Sequence, residues 1–242
     1  MPTVPDSFPR QYARTQRLTL GEPRNLTVTP DDTRVLFLRS RAGDDPVNCL
    51  WVADMATGRE TLIADPRRLL ADDDGVELSA DERARRERLR EGAGGITGYS
   101  TSDDGVHAAF ALGGRLFVTD TVAGTAAAID VDGPIFDPRL SPSGDLVAYV
   151  HGAELRVTDR SGSATAVASE PGAPETVSWG SAEFIAAEEM RRFRGYWWSP
   201  QGRTLAVCRV DVAPVQVWHI ANPAAPAAPP HATRYPAAGT PN

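Results

Sequence analysis

The sequence has few features of exported or membrane proteins. No apolar run reaches the roughly 18 residues that a membrane-spanning helix needs, so no membrane partner is expected. The amino terminus lacks the basic segment followed by an apolar segment that a secretory signal peptide requires. The sequence therefore predicts a cytoplasmic protein.

Cysteine and positive charge are also scarce. The chain has 242 residues with only two cysteines, and 25 basic residues stand against 32 acidic ones, a net charge of −7. Because binding to a nucleic-acid backbone needs a clustered cationic face, no nucleic-acid partner is expected. Cys49 and Cys208 lie in separate apolar runs without metal-ligand spacing, so both are predicted to be buried, reduced thiols.

Catalytic and cofactor motifs are missing as well. The segment nearest to a Gly-x-Ser-x-Gly nucleophile motif is 98–102, which ends on a serine instead of a glycine. The four histidines form no His-Glu-x-x-His motif, and no phosphate-binding glycine loop occurs. We therefore expect no catalytic residue, no metal and no cofactor in this chain, and predict that the chain alone is inactive as an enzyme.

One local pattern recurs four times, a tight turn that leads into a strand of alternating apolar and polar residues. A proline presets φ at the second turn position in three copies, and glycine, which tolerates positive φ, occurs in three of the turns. The copies occupy 29–38, 101–111, 141–150 and 199–208. Each is followed by a second alternating strand, and these strands occupy 50–54, 115–120, 154–159 and 215–220.

Repeated hairpins at intervals of about 40 to 60 residues are typical of β-propeller blades. The sequence thus predicts an all-β fold, a partial β-propeller of about four blades of four-stranded sheets. Because so few blades would leave a blade edge unpaired, we expect the chain to be a fragment of a longer protein.

A helical insertion at about 66–95 interrupts the strand pattern. Ser79 provides an N-cap before acidic first-turn residues, 84–91 consists of strong helix formers, and Gly92 ends the helix. Because only Ala84 and Leu89 are apolar, the helix is predicted to be solvated, with little packing. A second irregular stretch, the proline-rich 222–231, is predicted to be an extended surface loop.

Two adjacent carboxylates, Glu188 and Glu189, are the strongest candidates for ligand binding. On a strand they would point to opposite faces, so a helical turn or an irregular loop is needed to bring them to one ligand. Such a pair suits a primary ammonium group, which has three N–H donors and no acceptor. The alternative is a solvated surface pair balanced by nearby arginines. Trp197 and Trp198 are predicted to pack within and between blades.

The segment 188–202 reads Glu-Glu-Met-x4-Gly-Tyr-Trp-Trp-Ser-Pro-x-Gly and resembles the double-glutamate motif of the dipeptidyl peptidase IV family. This family belongs to the prolyl oligopeptidase-type serine peptidases. The segment 86–99 resembles an arginine-bearing helix of the cytosolic members and their bacterial relatives, and 234–242 is similar to a Tyr-Pro-x-x-Gly stretch of the family.

The resemblance implies a β-propeller stacked on a C-terminal α/β-hydrolase domain, which removes Xaa-Pro or Xaa-Ala dipeptides from peptides with a free amino terminus. It assigns Glu188 and Glu189 to the substrate's α-ammonium group. An arginine that helps to orient the substrate would be Arg86, Arg88 or Arg90, and we favour Arg90 because it is nearest the end of the predicted helix. Full-length members often dimerise, so a homodimer is a candidate assembly.

Residues 1–242 would then be the N-terminal, substrate-selecting part of a dipeptidyl aminopeptidase. The hydrolase domain with its serine, aspartate and histidine is absent from this chain, and we expect that it lies beyond Asn242 or is missing. The alternative is a stand-alone, non-catalytic β-propeller that binds proteins or peptides. A TolB-like export accessory protein is disfavoured, because such a protein would have a signal peptide and no glutamate pair.

Overall fold

A computed structural model describes residues 7–70, 78–89, 92 and 94–241. Most of these residues lie in antiparallel sheets whose strands follow one another in chain order. The first sheet has the order β1 (Arg24–Val28), β2 (Arg34–Ser40), β3 (Val47–Asp54) and β4 (Glu60–Ala64). A short fifth strand, β5 (Gly94–Gly95), pairs with β3 in parallel.

The next two sheets each have four antiparallel strands, as predicted for propeller blades. The second sheet contains β6 (Ser100–Thr101), β7 (His107–Leu112), β8 (Arg115–Asp120) and β9 (Thr125–Ile129). The third contains β10 (Ile135–Leu140), β11 (Val147–His151), β12 (Glu154–Thr158) and β13 (Ala164–Ala168). The predicted second strands therefore coincide with β3, β8 and β12.

The fourth repeat is split into two-stranded sheets. β14 (Val177–Trp179) pairs with β17 (Arg209–Asp211), and β15 (Tyr196–Trp198) pairs with β16 (Leu205–Val207). A separate hairpin joins β18 (Val217–Ile220) to β19 (His231–Arg234). The proline-rich stretch is the exposed connection of this hairpin, with turns that begin at Asn222 and Ala225. The partial propeller is confirmed, but its fourth unit is less regular than the repeat pattern predicts.

Adjacent sheets pack through apolar side chains that alternate along the strands. Leu38 and Leu50 of the first sheet lie in one buried cluster with Phe110 and Phe117 of the second, whose rings stack 5.6 Å apart. Further clusters join the second sheet to the third, and the third sheet to Tyr196 of β15. This sheet-to-sheet packing is the arrangement of successive propeller blades.

The described residues form helices at four places. They are α1 (Phe8–Arg14), α2 (Pro66–Leu69), α3 (Ala80–Leu89) and α4 (Phe184–Glu188). The sequence predicts only the helical insertion that contains α2 and α3. The predicted cap is confirmed, because the Ser79 hydroxyl accepts a hydrogen bond of 3.1 Å from the Glu82 N–H.

Replacing this cap should weaken α3 measurably. Loss of a serine N-cap costs about 1 kcal/mol, so Ser79→Ala is expected to lower the unfolding midpoint by about 2–4 °C. The control is Ser163→Ala, because the Ser163 hydroxyl is exposed and makes no hydrogen bond within the described residues. Thermal unfolding of both variants by circular dichroism checks the expectation, and equal midpoints for the two would contradict it.

The two cysteines are free thiols in different surroundings. Cys49 is fully buried, as predicted, and burial raises the pKa of its thiol to about 11. Cys208 is only half-buried, so the prediction that its thiol is buried is wrong. Among the described residues, no helix has both the length and the apolar character needed to cross a lipid bilayer.

Candidate functional site

The predicted pair of carboxylates lies at the end of α4. Glu188 is the last residue of this helix, and Glu189 keeps helical backbone angles (φ −90°, ψ −35°) as its C-cap. Consecutive residues in a helical turn are about 100° apart, so the two side chains can reach toward one ligand. The expectation that the pair needs a helical turn is therefore met by the backbone.

The start of α4 is fixed by a glutamate side chain. The Glu183 carboxylate accepts hydrogen bonds from the N–H groups of Ile185 and Ala186, at 2.6 and 2.9 Å. Ala186 and Ala187 are buried, whereas Glu188 and Glu189 are exposed. The helix thus packs its small residues inward and presents both carboxylates to solvent.

An arginine from a segment 100 residues earlier in the chain contacts this pair. Arg88 of α3 donates through Nε to the Glu188 Oε2 atom at 3.1 Å, and its guanidinium lies over the Phe184 ring at 5.2 Å from the ring centre. Both partners are partly exposed, 27% for the Arg88 side chain and 43% for Glu188. The ring and the ion pair together place the Arg88 guanidinium beside the Glu188 carboxylate.

The paired position predicted for an arginine could also have been filled by Arg86 or Arg90. Arg86 donates through Nε to Glu82 at 2.6 Å, so it serves a network within α3. Arg90, which the sequence favoured, lies outside the described residues. Of the two candidates that the structure describes, Arg88 is the one that contacts the glutamate pair.

The Glu189 carboxylate has surroundings unlike those of Glu188. Its backbone N–H donates to the Ile185 carbonyl at 2.9 Å, which holds the helical turn. Within the described part of the chain, its exposed side chain has no hydrogen-bond or ion-pair partner. One carboxylate is therefore anchored, and the other is open to a ligand.

A second contact joins α3 to the segment before α4. The Ser181 hydroxyl donates to Asp81 Oδ2 at 2.8 Å, although these residues are also 100 positions apart. Together with the contact between Arg88 and Glu188, it attaches the inserted helix to the fourth repeat. The insertion thus helps to build the glutamate site.

The interior side of α3 contradicts the prediction of a solvated helix. Glu82 is only 8% exposed, and its carboxylate accepts hydrogen bonds from Arg85, Arg86 and Thr97. Burial raises the pKa of Glu82, but the two arginines outweigh it and hold the pKa below its ordinary value. Charged residues can pack here because partners from α3 and from Thr97 satisfy them.

The aromatic part of the motif anchors the segment that follows the glutamates. Tyr196 is fully buried, and its hydroxyl donates to the Asp137 carbonyl or to the Ala148 carbonyl. Trp198 packs against the buried cluster of the third sheet, and its indole N–H donates to the Arg139 carbonyl at 3.2 Å. These two residues tie the fourth repeat to β10 and β11.

Trp197 is half-buried beneath two arginines. The guanidinium carbons of Arg192 and Arg194 lie 5.9 and 5.6 Å from the Trp197 ring centre. The packing predicted for the tryptophans is therefore observed for Trp198, whereas Trp197 forms a platform for cations. The described residues contain no cluster of three or more His, Cys, Asp or Glu that could hold a metal ion.

Sequential sheets of mainly four antiparallel strands, packed face to face, define a partial β-propeller, and the glutamate pair lies on a helix inserted in its fourth repeat. Residues 107–242 match the family model described as the dipeptidyl peptidase IV (DPP IV) N-terminal region. The chain belongs to this family.

A solved structure agrees with this assignment at the level of the fold. The crystal structure of dipeptidyl peptidase 4 from Porphyromonas gingivalis matches with a TM-score of 0.63 and 18% sequence identity. The match covers 98% of this chain and 32% of that one, so the chain spans about a third of the peptidase that it resembles.

Proposed function

We propose that this chain is the substrate-selecting region of a dipeptidyl aminopeptidase and that Glu188 and Glu189 bind the α-ammonium group of a peptide. The observation that carries the proposal is the geometry of the pair. Both carboxylates lie on one helical turn, and Arg88 holds Glu188 from a distant segment. An ammonium group can donate to both carboxylates at once.

Such a site would select peptides by their free amino terminus. An internal segment of a protein has an amide where the terminal peptide has a charge, so it cannot compensate the two carboxylates. The interaction would place the peptide at a fixed distance from a catalytic centre. That centre would belong to a C-terminal hydrolase domain, consistent with the 32% coverage of the solved peptidase.

The boundaries of this region also belong to the proposal. Residues 1–242 would form the N-terminal propeller portion, with the helical insertion at about 66–95 shaping the site. Cleavage after proline or alanine, dimerisation and a cytoplasmic location stay predictions from the sequence and from the resemblance.

Binding of a matched pair of peptides tests the proposed site. The probes are Gly-Pro-Ala amide with a free amino terminus and the same peptide with an acetylated amino terminus, titrated into the 242-residue chain and followed by NMR. We expect the free peptide to bind at least about tenfold more tightly, which corresponds to about 1.4 kcal/mol. Equal affinities would contradict the proposal.

A smaller effect is expected for the arginine that holds Glu188. Because a partly exposed ion pair contributes about 1 kcal/mol or less, Arg88→Gln should weaken binding of the free peptide about two- to fivefold. The acetylated peptide should be unaffected. The control is Arg83→Gln, which removes the same charge from the same helix at a residue that donates to the Leu78 carbonyl. If both variants weaken binding equally, Arg88 has no specific role.

A further inference from the structure

A second polar site lies beside the glutamate pair, in a cavity of about 420 Å³. Among the described residues, its wall contains five arginines and two carboxylates, an excess of three positive charges. We call it the arginine cavity, and its charged residues are Arg85, Arg139, Arg191, Arg192, Arg194, Glu82 and Asp137.

Two of the arginines are neutralised by the carboxylates of the wall. Arg85 donates to both carboxylate oxygens of Glu82 at 2.8 Å, and Arg139 donates to both oxygens of Asp137 at 3.0 and 2.7 Å. Glu82 also pairs with Arg86, so it already balances two guanidinium groups. In the part of the wall that the structure describes, no carboxylate is therefore left for the remaining arginines.

The other three arginines follow each other within one short segment. Arg194 donates through Nε to the Tyr196 carbonyl at 2.7 Å, and Arg192 donates through Nη1 to the Arg194 carbonyl at 2.7 Å. Arg192 Nη2 lies 3.7 Å from Oε1 of the Glu183 carboxylate. Within the described residues, neither Arg191 nor Arg194 forms an ion pair.

The half-buried position of Arg194 makes this excess charge costly. Burial, and next the positive charge of Arg139, lower the pKa of Arg194. Two guanidinium groups that repel each other in a half-enclosed space are stabilised when an anion lies between them. The charge distribution thus favours an anionic ligand over water as the occupant of this cavity.

The backbone around the cavity is unusual as well. Asn25, Asp137 and Arg191 have left-handed conformations, with φ of 52°, 46° and 52°. Residues other than glycine rarely adopt these angles, and they occur disproportionately at binding sites. Two of these three residues, Arg191 and Asp137, are charged residues of the cavity wall.

We propose that the arginine cavity binds a small ligand with a carboxylate or phosphate group. The planar guanidinium fork matches two oxygens of either group, and the volume is within the range of small-molecule sites. Arg191, Arg192 and Arg194 supply the excess positive charge, which Asp137 offsets only in part at Arg194. Tyr99, Phe136 and Phe193 form the less polar part of the wall. Neither Glu188 nor Glu189 is among the residues that line this cavity.

The test is titration of the 242-residue chain with inorganic phosphate and, separately, with succinate at constant ionic strength. Arginine Nε–Hε signals in ¹H–¹⁵N spectra report the binding. We expect saturable binding of at least one anion, weakened at least fivefold in Arg194→Gln and in Arg191→Gln. The anion that binds more tightly identifies the preferred group.

Matched variants make the result decisive. Arg203→Gln removes the same charge from an exposed residue that is not in the cavity wall and should leave binding unchanged. Arg191 is also exposed, so Arg191→Gln provides a test even if Arg194→Gln does not fold. Weakening by Arg191→Gln or Arg194→Gln relative to Arg203→Gln supports the proposal. Shifts that do not saturate, or equal affinity in all variants, overturn it.

Discussion

Binding of Gly-Pro-Ala amide should fall at least about tenfold in either Glu188→Gln or Glu189→Gln. Each substitution keeps the shape of the side chain but removes one of the charges that would accept a hydrogen bond from the ammonium group. A hydrogen bond to a charged group contributes about 1.5–3 kcal/mol, and exposure of the site places this pair at the low end. NMR titration of each variant measures the loss.

The double variant gives the sharper result. With both charges removed, the chain should bind the free and the acetylated peptide with equal affinity, because nothing at the site distinguishes them. Glu175→Gln is the control, since Glu175 is an exposed carboxylate without an ion pair among the described residues. A double variant that still prefers the free peptide would remove Glu188 and Glu189 from the proposed role.

Among the predicted substitutions, Gly195→Ala should lower the free energy of unfolding the most. A Cβ atom at this position would lie 2.6 Å from the Ser181 carbonyl carbon and closer still to the Gly180 carbonyl group. These are backbone atoms, so they cannot move aside as the end of a side chain can. Overpacking usually costs 1–3 kcal/mol, and we expect about 3 kcal/mol here, a fall of about 6–12 °C in the unfolding midpoint.

A second glycine provides the control for this effect. An added Cβ at Gly98 would have no neighbour within 4 Å, and the residue has no positive φ. Gly98→Ala should therefore change the free energy of unfolding by less than about 1 kcal/mol. Thermal unfolding of both variants tests this prediction. If Gly195→Ala is as stable as Gly98→Ala, the fold does not need the close approach between the backbone at Gly195 and the backbone at Gly180.

The strands could be predicted well because their signals are local. The predicted segment 115–120 coincides with β8, whose alternating side chains and preceding turn are visible over a few residues. The fourth repeat was less predictable. Ser181 and Arg194 form an isolated bridge on either side of α4, and Gly195 passes close to Gly180. In this region the strands form two two-stranded sheets instead of one regular four-stranded blade.

The helix that positions the glutamates had a weak sequence signal. α4 has only five residues, and its cap is Glu183 instead of the serine, threonine, aspartate or asparagine usually found there. The pair could be proposed as a site because its segment resembles the double-glutamate motif of the family, and its need for a helical turn followed from the adjacency of the two carboxylates. The identity of the residues was thus more informative than their predicted secondary structure.

The contacts around the site could not be predicted because they join distant segments. Arg88 and Glu188 are 100 positions apart, and no local pattern shows which of several arginines faces the pair. Burial of Glu82 depends on Thr97, which completes its hydrogen bonds. The run of arginines at 191–194 was visible, but its place in the wall of a cavity depends on β10 and α3.

A crystal structure of the chain with bound Gly-Pro-Ala amide tests the central claim most directly. We expect the terminal nitrogen to lie about 2.7–3.2 Å from a carboxylate oxygen of Glu188 and from one of Glu189. Arg88 should keep its contact with Glu188 in this complex. A peptide bound with its amino terminus elsewhere, with both carboxylates left in solvent, would contradict the claim.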